Sequence, residues 1–407
     1  MIRAAQSVGT LLLAIFMLMA GGGFLSTLVS LRLEAADTPS MLIGLVATAY
    51  FAGLTIGSVL VFRIISRVGH IRAFAAFVSL FSATSLCYIL HVDPALWAFL
   101  RLVEGFCMAG VFVCLESWLN ERAEPKMRGS VLAFYMAALY AGQAGGQFLL
   151  NLGEISPPLP FVAASILLSL AVIPVVLTRI PAPTLPEGGI MRLSLLYKIS
   201  PLGFTGAAIT GVMLGAFYGL GAVFARGIGL SNAGTAWFMS ATLLGGVALQ
   251  WPLGRLSDRI DRRTVILGTF VATLLICLTI FFLAEGRYQL MIAGALFGGT
   301  CFALYPLCVA HTNDHLETGQ RVGASGGLVM IYSLGSMAGP LAGAAFMGGF
   351  GPRGLFLFIG LCALAMVVFA LRRVQLAPPV PGERQHPYQV LPRTTPAAAS
   401  LDPLAPE

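Results

Sequence analysis

Two charged residues, Arg101 and Glu104, stand three positions apart inside the apolar stretch LWAFLRLVEGFCMAGVFVCL. On a helix this spacing places both side chains on one side, where they can pair. In a cavity that alternates between wet and dry, a carboxyl group beside a guanidinium can load and release a proton. Burial disfavours its charged form, whereas the Arg favours it. The pattern predicts a proton-coupling site made of Glu104 and Arg101, and the alternative is a permanent ion pair.

The composition of the chain indicates which secondary-structure elements position Arg101 and Glu104. The chain has 407 residues, of which 57% are hydrophobic and 10% charged, and its mean hydropathy is +0.88. Soluble domains are about 25% charged, so the solvent for most of this chain must be lipid. Continuous apolar runs of this length predict helices and exclude a membrane barrel. Twelve such runs recur, at 7–31, 41–65, 71–92, 94–119, 128–152, 158–179, 201–225, 232–256, 262–284, 286–312, 321–348 and 352–374.

Loop charges predict the orientation of these spans. Twelve crossings put both ends of the chain on one side, and most of the Lys and Arg residues fall in loops on that side. The opposite loops contain only Arg32, Arg226, Arg287 and Arg353. By the positive-inside rule both ends are cytoplasmic, and we expect a multi-pass protein of the bacterial inner membrane. The pI of about 9.2 then reflects topology, and no nucleic-acid partner is predicted.

The spans divide into two sets of six. We expect an all-α polytopic membrane protein with two pseudo-symmetric six-helix bundles, at 1–179 and 201–374. Between them, the segment 180–200 predicts a cytoplasmic linker with an amphipathic helix, because Ile190, Leu193, Leu196 and Tyr197 share one helical face. The segment 375–407 is rich in Pro and polar residues and predicts a disordered cytoplasmic tail.

A second charged cluster, GRLSDRIDRR at 254–263, lies in the short turn between spans 8 and 9. The corresponding turn of the first half, between spans 2 and 3, reads FRIISRVGHIR at 62–72. There Arg67 stands where Arg259 does, and His70 where Arg262 does. One motif in matching loops of two halves indicates an internal parallel repeat.

The cluster resembles the loop signature of the major facilitator superfamily, as does RLVEGFCMA in span 4. The resemblance implies two bundles that alternate access to a central site, with the loop Asp and Arg tying one half to the other at the cytoplasmic face. The first-half loop has Phe62 and Ser66 instead of the signature Gly and Asp, so this lock must depend mainly on the second half. The signature positions are Gly254, Asp258, Arg259, Arg262 and Arg263, with Arg67 as their first-half echo.

Two further stretches, ESWLN at 116–120 and YPLCVAHTND at 305–314, are similar to a bacterial subgroup of that family, the YcaD-type transporters. Small residues spaced by four recur in spans 4, 5 and 11. We interpret them mainly as places where helices approach closely.

Other polar residues at membrane depth are candidates for contact with a solute. The resemblance places spans 1, 4, 7 and 10 around a cavity, and amide or phenol groups in apolar spans need partners. We therefore predict substrate contacts for Gln143, Gln147, Tyr218 and Tyr305. Glu116 and His311 lie near the cytoplasmic ends of spans 4 and 10, either at headgroup level or as a gate.

The sequence shows no Walker loop, catalytic triad or Rossmann fingerprint, so neither an enzyme nor an ATP-driven pump is predicted. His311 and His315 are too few for a metal site, and we expect no cofactor. We expect a monomeric secondary transporter of a small organic solute, with proton as its coupling ion. A uniporter without ion coupling and a receptor-like protein without turnover are the alternatives.

Overall fold

The computed structural model describes residues 2–122, 128–177, 191–283, 286–317 and 320–376, and in the tail 385, 387–390 and 392–395. Within these ranges all regular structure is helical. The elements are α1 (Ile2–Gly22), α2 (Leu25–Ala35), α3 (Ser40–Val68), α4 (His70–Cys87), α5 (Pro94–Arg122), α6 (Arg128–Gly146), α7 (Leu152–Ile155), α8 (Leu159–Val176), α9 (Leu193–Ile199), α10 (Pro201–Gly227), α11 (Asn232–Ser257), α12 (Arg262–Phe282), α13 (Arg287–Asn313), α14 (Arg321–Phe350) and α15 (Gly354–Leu376).

These elements form the twelve predicted crossings. Among the described residues, ten helical segments are long and apolar enough to span a membrane, the first of them combining part of α1 with α2. The other two crossings are α11 and α6, which continues into α7 through a 3-10 turn at Gln147–Asn151. The all-helical polytopic fold predicted from the apolar runs is therefore confirmed.

Glycines allow close approach of helix pairs in both halves. A Cβ on Gly105 of α5 would lie 2.0 Å from the carbonyl oxygen of Tyr50 in α3. In the second half, a Cβ on Gly339 of α14 would lie 2.1 Å from the carbonyl oxygen of Val212 in α10. No side chain fits in such a gap, so backbones meet directly. The close-approach interpretation of the small residues is confirmed.

The first six crossings meet the last six toward one end of the molecule. Three hydroxyl groups donate across this boundary to backbone carbonyl oxygens, Ser30 to Gly219 at 2.8 Å, Thr48 to Met337 at 3.0 Å, and Ser240 to Ala144 at 2.7 Å. All three lie in the helix halves distant from the charged loop 254–263. Toward the loop end the two sets of helices enclose a cavity instead.

The structure describes part of the linker and part of the tail. The linker contains α9, whose Leu196 is buried against Gly327 of α14 while Tyr197 is exposed, and Ile190 lies outside the described residues. The described tail residues lie against the helices, where Tyr388 and Arg393 have specific hydrogen-bond partners. The other residues of the predicted tail beyond 376 lie outside the described residues.

Candidate functional site

The central cavity has a free volume of about 120 Å³ and is lined by both halves and by the tail. Of the four predicted substrate contacts, Gln143 and Tyr218 line it. Gln147 and Tyr305 are not among the lining residues. Gln147 is buried beside the backbone of Gln143, and Tyr305 packs edge-on against Tyr332 with ring centroids 5.1 Å apart.

Aromatic rings form one wall of the cavity. Phe302 of α13 stacks on Tyr218 of α10 at 5.9 Å and on Tyr140 of α6 at 5.8 Å between ring centroids. Tyr140 belongs to the first half and the other two rings to the second, so the stack joins the halves inside the cavity. Tyr332 of α14 lines the cavity together with Tyr140 and Tyr218, whereas Phe302 is not among the lining residues. We call Tyr140, Tyr218, Phe302 and Tyr332 the aromatic wall.

The tail runs into this cavity from the loop end. The backbone N–H of Tyr388 donates to Asp258 at 2.9 Å, and the ring of Tyr388 covers Gly254, where a Cβ would lie 2.1 Å from its Cδ1 atom. Farther along, the Arg393 guanidinium donates to the Tyr218 hydroxyl at 3.0 Å and lies 4.7 Å from the centroid of the Phe302 ring. Tail residues therefore line the cavity alongside the helices.

The Arg101–Glu104 pair lies directly behind the cavity lining. The guanidinium donates to the Glu104 carboxylate at 2.8 Å, and both side chains are buried on α5. Arg101 also donates to the Ser26 hydroxyl and lies 4.2 Å from the centroid of the Tyr50 ring. Ser26 and Tyr50 themselves line the cavity, so each of them contacts both the cavity and Arg101.

Glu104 is only partly satisfied by these contacts. Its Oε2 atom accepts from Arg101, but its Oε1 atom has no hydrogen-bond partner in the part of the chain that the structure describes. Tyr88 and Thr84 lie next to the carboxyl group. An unpartnered buried carboxylate oxygen is costly, and either a bound proton or water would relieve it.

Glu116 is fully buried on α5. Its Oε1 atom accepts a hydrogen bond from the Tyr135 hydroxyl at 3.0 Å. The hydroxyls of Thr394 and Thr395 donate to its two carboxylate oxygens. Glu116 therefore contacts the tail segment that also carries Arg393, and this arrangement was not expected from the sequence.

His311 is buried near the end of α13. Its backbone carbonyl oxygen lies 2.8 Å from Nδ1 of His315, and the two imidazole rings meet edge-on with centroids 4.8 Å apart. Among the described residues no group of three or more His, Cys, Asp or Glu could hold a metal ion.

The charged loop 254–263 forms ion pairs and a helix cap within the second half. Arg262 is buried and donates to Asp258 at 2.8 Å and to Asp314 at 2.7 Å. Asp261 caps α12 by accepting from the backbone N–H of Arg263 at 3.1 Å, and it pairs with the Arg263 side chain at 2.8 Å. Burial tends to raise the pKa of the Asp261 carboxyl, but the hydrogen bonds from Arg263 hold that pKa below its ordinary value.

The tie between the halves that the resemblance implies for this loop stays a prediction. Asp258 bonds to Arg262 of its own half and to Tyr388 of the tail, while Arg259 and Arg67 are exposed. Hydrogen bonds between the halves lie at the opposite end, and the tail contacts the loop here. Asp314, which holds Arg262, lies in the stretch YPLCVAHTND but was not assigned a role from sequence.

Comparison with known proteins identifies the fold. The model of the major facilitator superfamily matches residues 11–231 and 202–401. The chain belongs to the major facilitator superfamily. It is 31% identical over 384 residues to the uncharacterized MFS-type transporter YcaD of Salmonella arizonae, covering 92% of this chain and 97% of that protein. It is a multi-pass membrane transporter of this family, and its likeness to YcaD-type transporters is as predicted.

Solved structures of transporters share this architecture. The nucleoside transporter NupG aligns with a TM-score of 0.75 at 13% identity, over 91% of this chain and 99% of that one. A bacterial homolog of the human lysosomal transporter Spinster, in an inward-facing and occupied conformation, aligns with a TM-score of 0.70 at 15% identity, over 93% and 96%. At these identities the likeness concerns the fold alone.

Proposed function

We propose that the protein is a secondary transporter that moves a small organic solute by alternating access and couples this movement to protons. The observation that carries the proposal is the buried Arg101–Glu104 pair, whose Arg101 contacts the cavity-lining residues Ser26 and Tyr50. A titratable group in such a position senses whether the cavity is wet, dry or filled. Intramembrane ionisable residues of this kind mark ion pathways.

Coupling follows from the two states of the Glu104 carboxyl group. When charged, it pairs with Arg101, which also contacts Ser26 and Tyr50; when protonated, it frees that part of the guanidinium for a solute. A solute that contacts the wall near Ser26 and a proton on Glu104 therefore influence each other's binding through Arg101. Such linkage is reciprocal in free energy.

The halves supply the movement. We propose that both ends of the chain are cytoplasmic and that the protein, acting as a monomer in the bacterial inner membrane, rocks its two six-helix bundles around the cavity. The hydroxyl–carbonyl bonds from Ser30, Thr48 and Ser240 support this proposal, because they close the end opposite the charged loop with neutral groups. Breaking neutral bonds separates no charges and costs about 1 kcal/mol each.

The test is proton movement in proteoliposomes that contain a pH-sensitive dye, screened against a panel of metabolites and drugs. The wild type is compared with Glu104→Gln and with Glu121→Gln, an exposed residue on the same helix. We expect a solute-triggered pH change that Glu104→Gln abolishes and Glu121→Gln leaves unchanged. Exchange of labelled for unlabelled solute should persist in Glu104→Gln, which separates lost coupling from a misfolded protein.

The two alternatives give different results in the same vesicles. A uniporter would move solute without any pH change, and Glu104→Gln would leave its flux intact. A receptor-like protein would bind a solute and move neither it nor protons. Either result would overturn the coupled mechanism.

A further inference from the structure

Arg393 of the tail occupies a cage of aromatic rings. Its guanidinium carbon lies 4.7 Å from the centroid of the Phe302 ring, 5.6 Å from that of Tyr332 and 5.8 Å from that of Tyr218. The Tyr218 hydroxyl accepts a hydrogen bond from the same group at 3.0 Å. Ring faces attract cations through their quadrupole, and the attraction increases where water is excluded.

The cage holds this charge through ring faces and a phenol oxygen. Among the described residues, none of the ion pairs involves Arg393. The nearby carboxylate, Glu116, is bound instead by the hydroxyls of Thr394 and Thr395. A wall that accommodates a guanidinium by ring faces and a phenol oxygen offers little to an anion, so it selects for positive charge.

The same short segment touches both halves of the molecule. Arg393 contacts rings of α10, α13 and α14, whereas the next two residues, Thr394 and Thr395, donate hydrogen bonds to Glu116 of α5. Tyr388 anchors the segment at the cavity mouth through Asp258. The tail therefore lies between the halves in the position that a transported solute must enter.

We propose that the aromatic wall is a binding site for organic cations that carry a flat guanidinium-like group, and that Arg393 occupies it as a tethered competitor. This inference rests on the proposed function, because it names the substrate class of the same cavity. A tethered group acts at an effective concentration in the millimolar range, so a free cation must outcompete it.

Binding of phenylguanidinium to the purified full-length protein tests this directly, with phenylurea as a neutral probe of the same shape. Calorimetry compares the wild type with Arg393→Gln and with the matched charge control Arg372→Gln, which alters an exposed residue of α15. We expect Arg393→Gln to bind phenylguanidinium at least tenfold more tightly than the wild type. Arg372→Gln should match the wild type, and phenylurea should bind at least tenfold more weakly than phenylguanidinium to Arg393→Gln.

A second substitution locates the probe. Adding Phe302→Leu to Arg393→Gln removes a ring face while keeping an apolar side chain of similar bulk, and we expect it to weaken phenylguanidinium binding about tenfold. Unchanged binding in this double variant would place the probe elsewhere and overturn the proposal. Equal affinity of the wild type and Arg393→Gln would also overturn it, because a competitor would then be absent.

Failure of this inference differs from failure of the proposed function. If phenylguanidinium does not bind but another solute drives proton movement that depends on Glu104, transport stands and the cation site falls. If phenylguanidinium binds in competition with Arg393 but no solute moves in vesicles, the cation site stands and transport falls.

Discussion

The backbone N–H of Tyr388 donates to the Oδ1 atom of Asp258, the same oxygen that accepts from Arg262 at 2.8 Å. One carboxylate oxygen thus serves the charged loop and the tail together, although the two residues are 130 positions apart in sequence. The loop that the family signature assigns to the cytoplasmic face is therefore also the anchor of the tail.

Weakening this anchor should loosen the tail. Asp258→Asn keeps the shape of the side chain but replaces a charged acceptor by a neutral one, which we expect to cost the Tyr388 bond about 1 kcal/mol. Amide hydrogen exchange at Tyr388 should become about fivefold faster. Asp261→Asn in the same loop serves as the control, and equal exchange in the two variants would contradict the assignment.

The buried pair of Arg262 and Asp314 should matter more for stability than its exposed neighbours. Arg262 is 1% exposed and pairs with the carboxylates of Asp258 and Asp314, and Asp314→Asn removes one of these two charges. Removing one partner of a buried ion pair costs about 3 kcal/mol. Thermal unfolding in detergent should show a clear fall in melting temperature. Replacing both partners together, as Arg262→Met with Asp314→Leu, should recover most of the loss; failure to recover would assign Asp314 another role.

The glycine contact of α3 with α5 offers a matched pair of substitutions. Gly105→Ala places a Cβ 2.0 Å from the carbonyl oxygen of Tyr50, whereas Gly145→Ala meets nothing within 4 Å. We expect the first to destabilise the protein by about 1–3 kcal/mol and the second to be nearly neutral. Melting temperatures of the two variants, measured side by side, check this; equal values would mean that the helices separate freely.

The cap of α12 predicts a pH dependence. Because the folded-state pKa of Asp261 lies below its ordinary value of 3.8, its contribution to stability is complete above that value and disappears as the pH falls through the folded-state pKa. The difference in melting temperature between wild type and Asp261→Asn should thus be constant from pH 7 to 5 and shrink below about pH 4. A difference that grows on acidification would reverse the sign and contradict the capping role.

The sequence predicted the helices well because apolar length alone determines a membrane span. It also identified Arg101 and Glu104 as neighbours, since a spacing of three residues on a helix fixes their geometry. Two of the predicted substrate contacts, Gln147 and Tyr305, are not among the residues that line the cavity, and helix rotation, which depends on packing between spans, is not readable from sequence. Tyr50 and Ser26 were missed for the same reason.

The tail was beyond prediction from local pattern. Pro-rich polar composition is typical of disorder, and nothing in the sequence near Arg393 indicates that three rings from separate helices surround it. The only available signal was the occurrence of Tyr residues in apolar spans, which need polar partners. Tyr140 and Tyr332 could have been identified in this way, but the position of Arg393 at the aromatic wall could not.

The crossing of α3 and α14 has a mechanical consequence. Thr48 bonds to the carbonyl oxygen of Met337, and a Cβ on Gly44 would lie 2.7 Å from that of Pro340, so the two helices touch with almost no side chain between them. Each is also fixed to a partner helix of its own half by glycine contacts, so the pairs act as stiff levers. Met337 is about 24 Å from the Arg321 end of α14 at 1.5 Å per residue. A rotation of about 10° at this fulcrum would displace that end by about 4 Å, a distance comparable to the thickness of one aromatic ring.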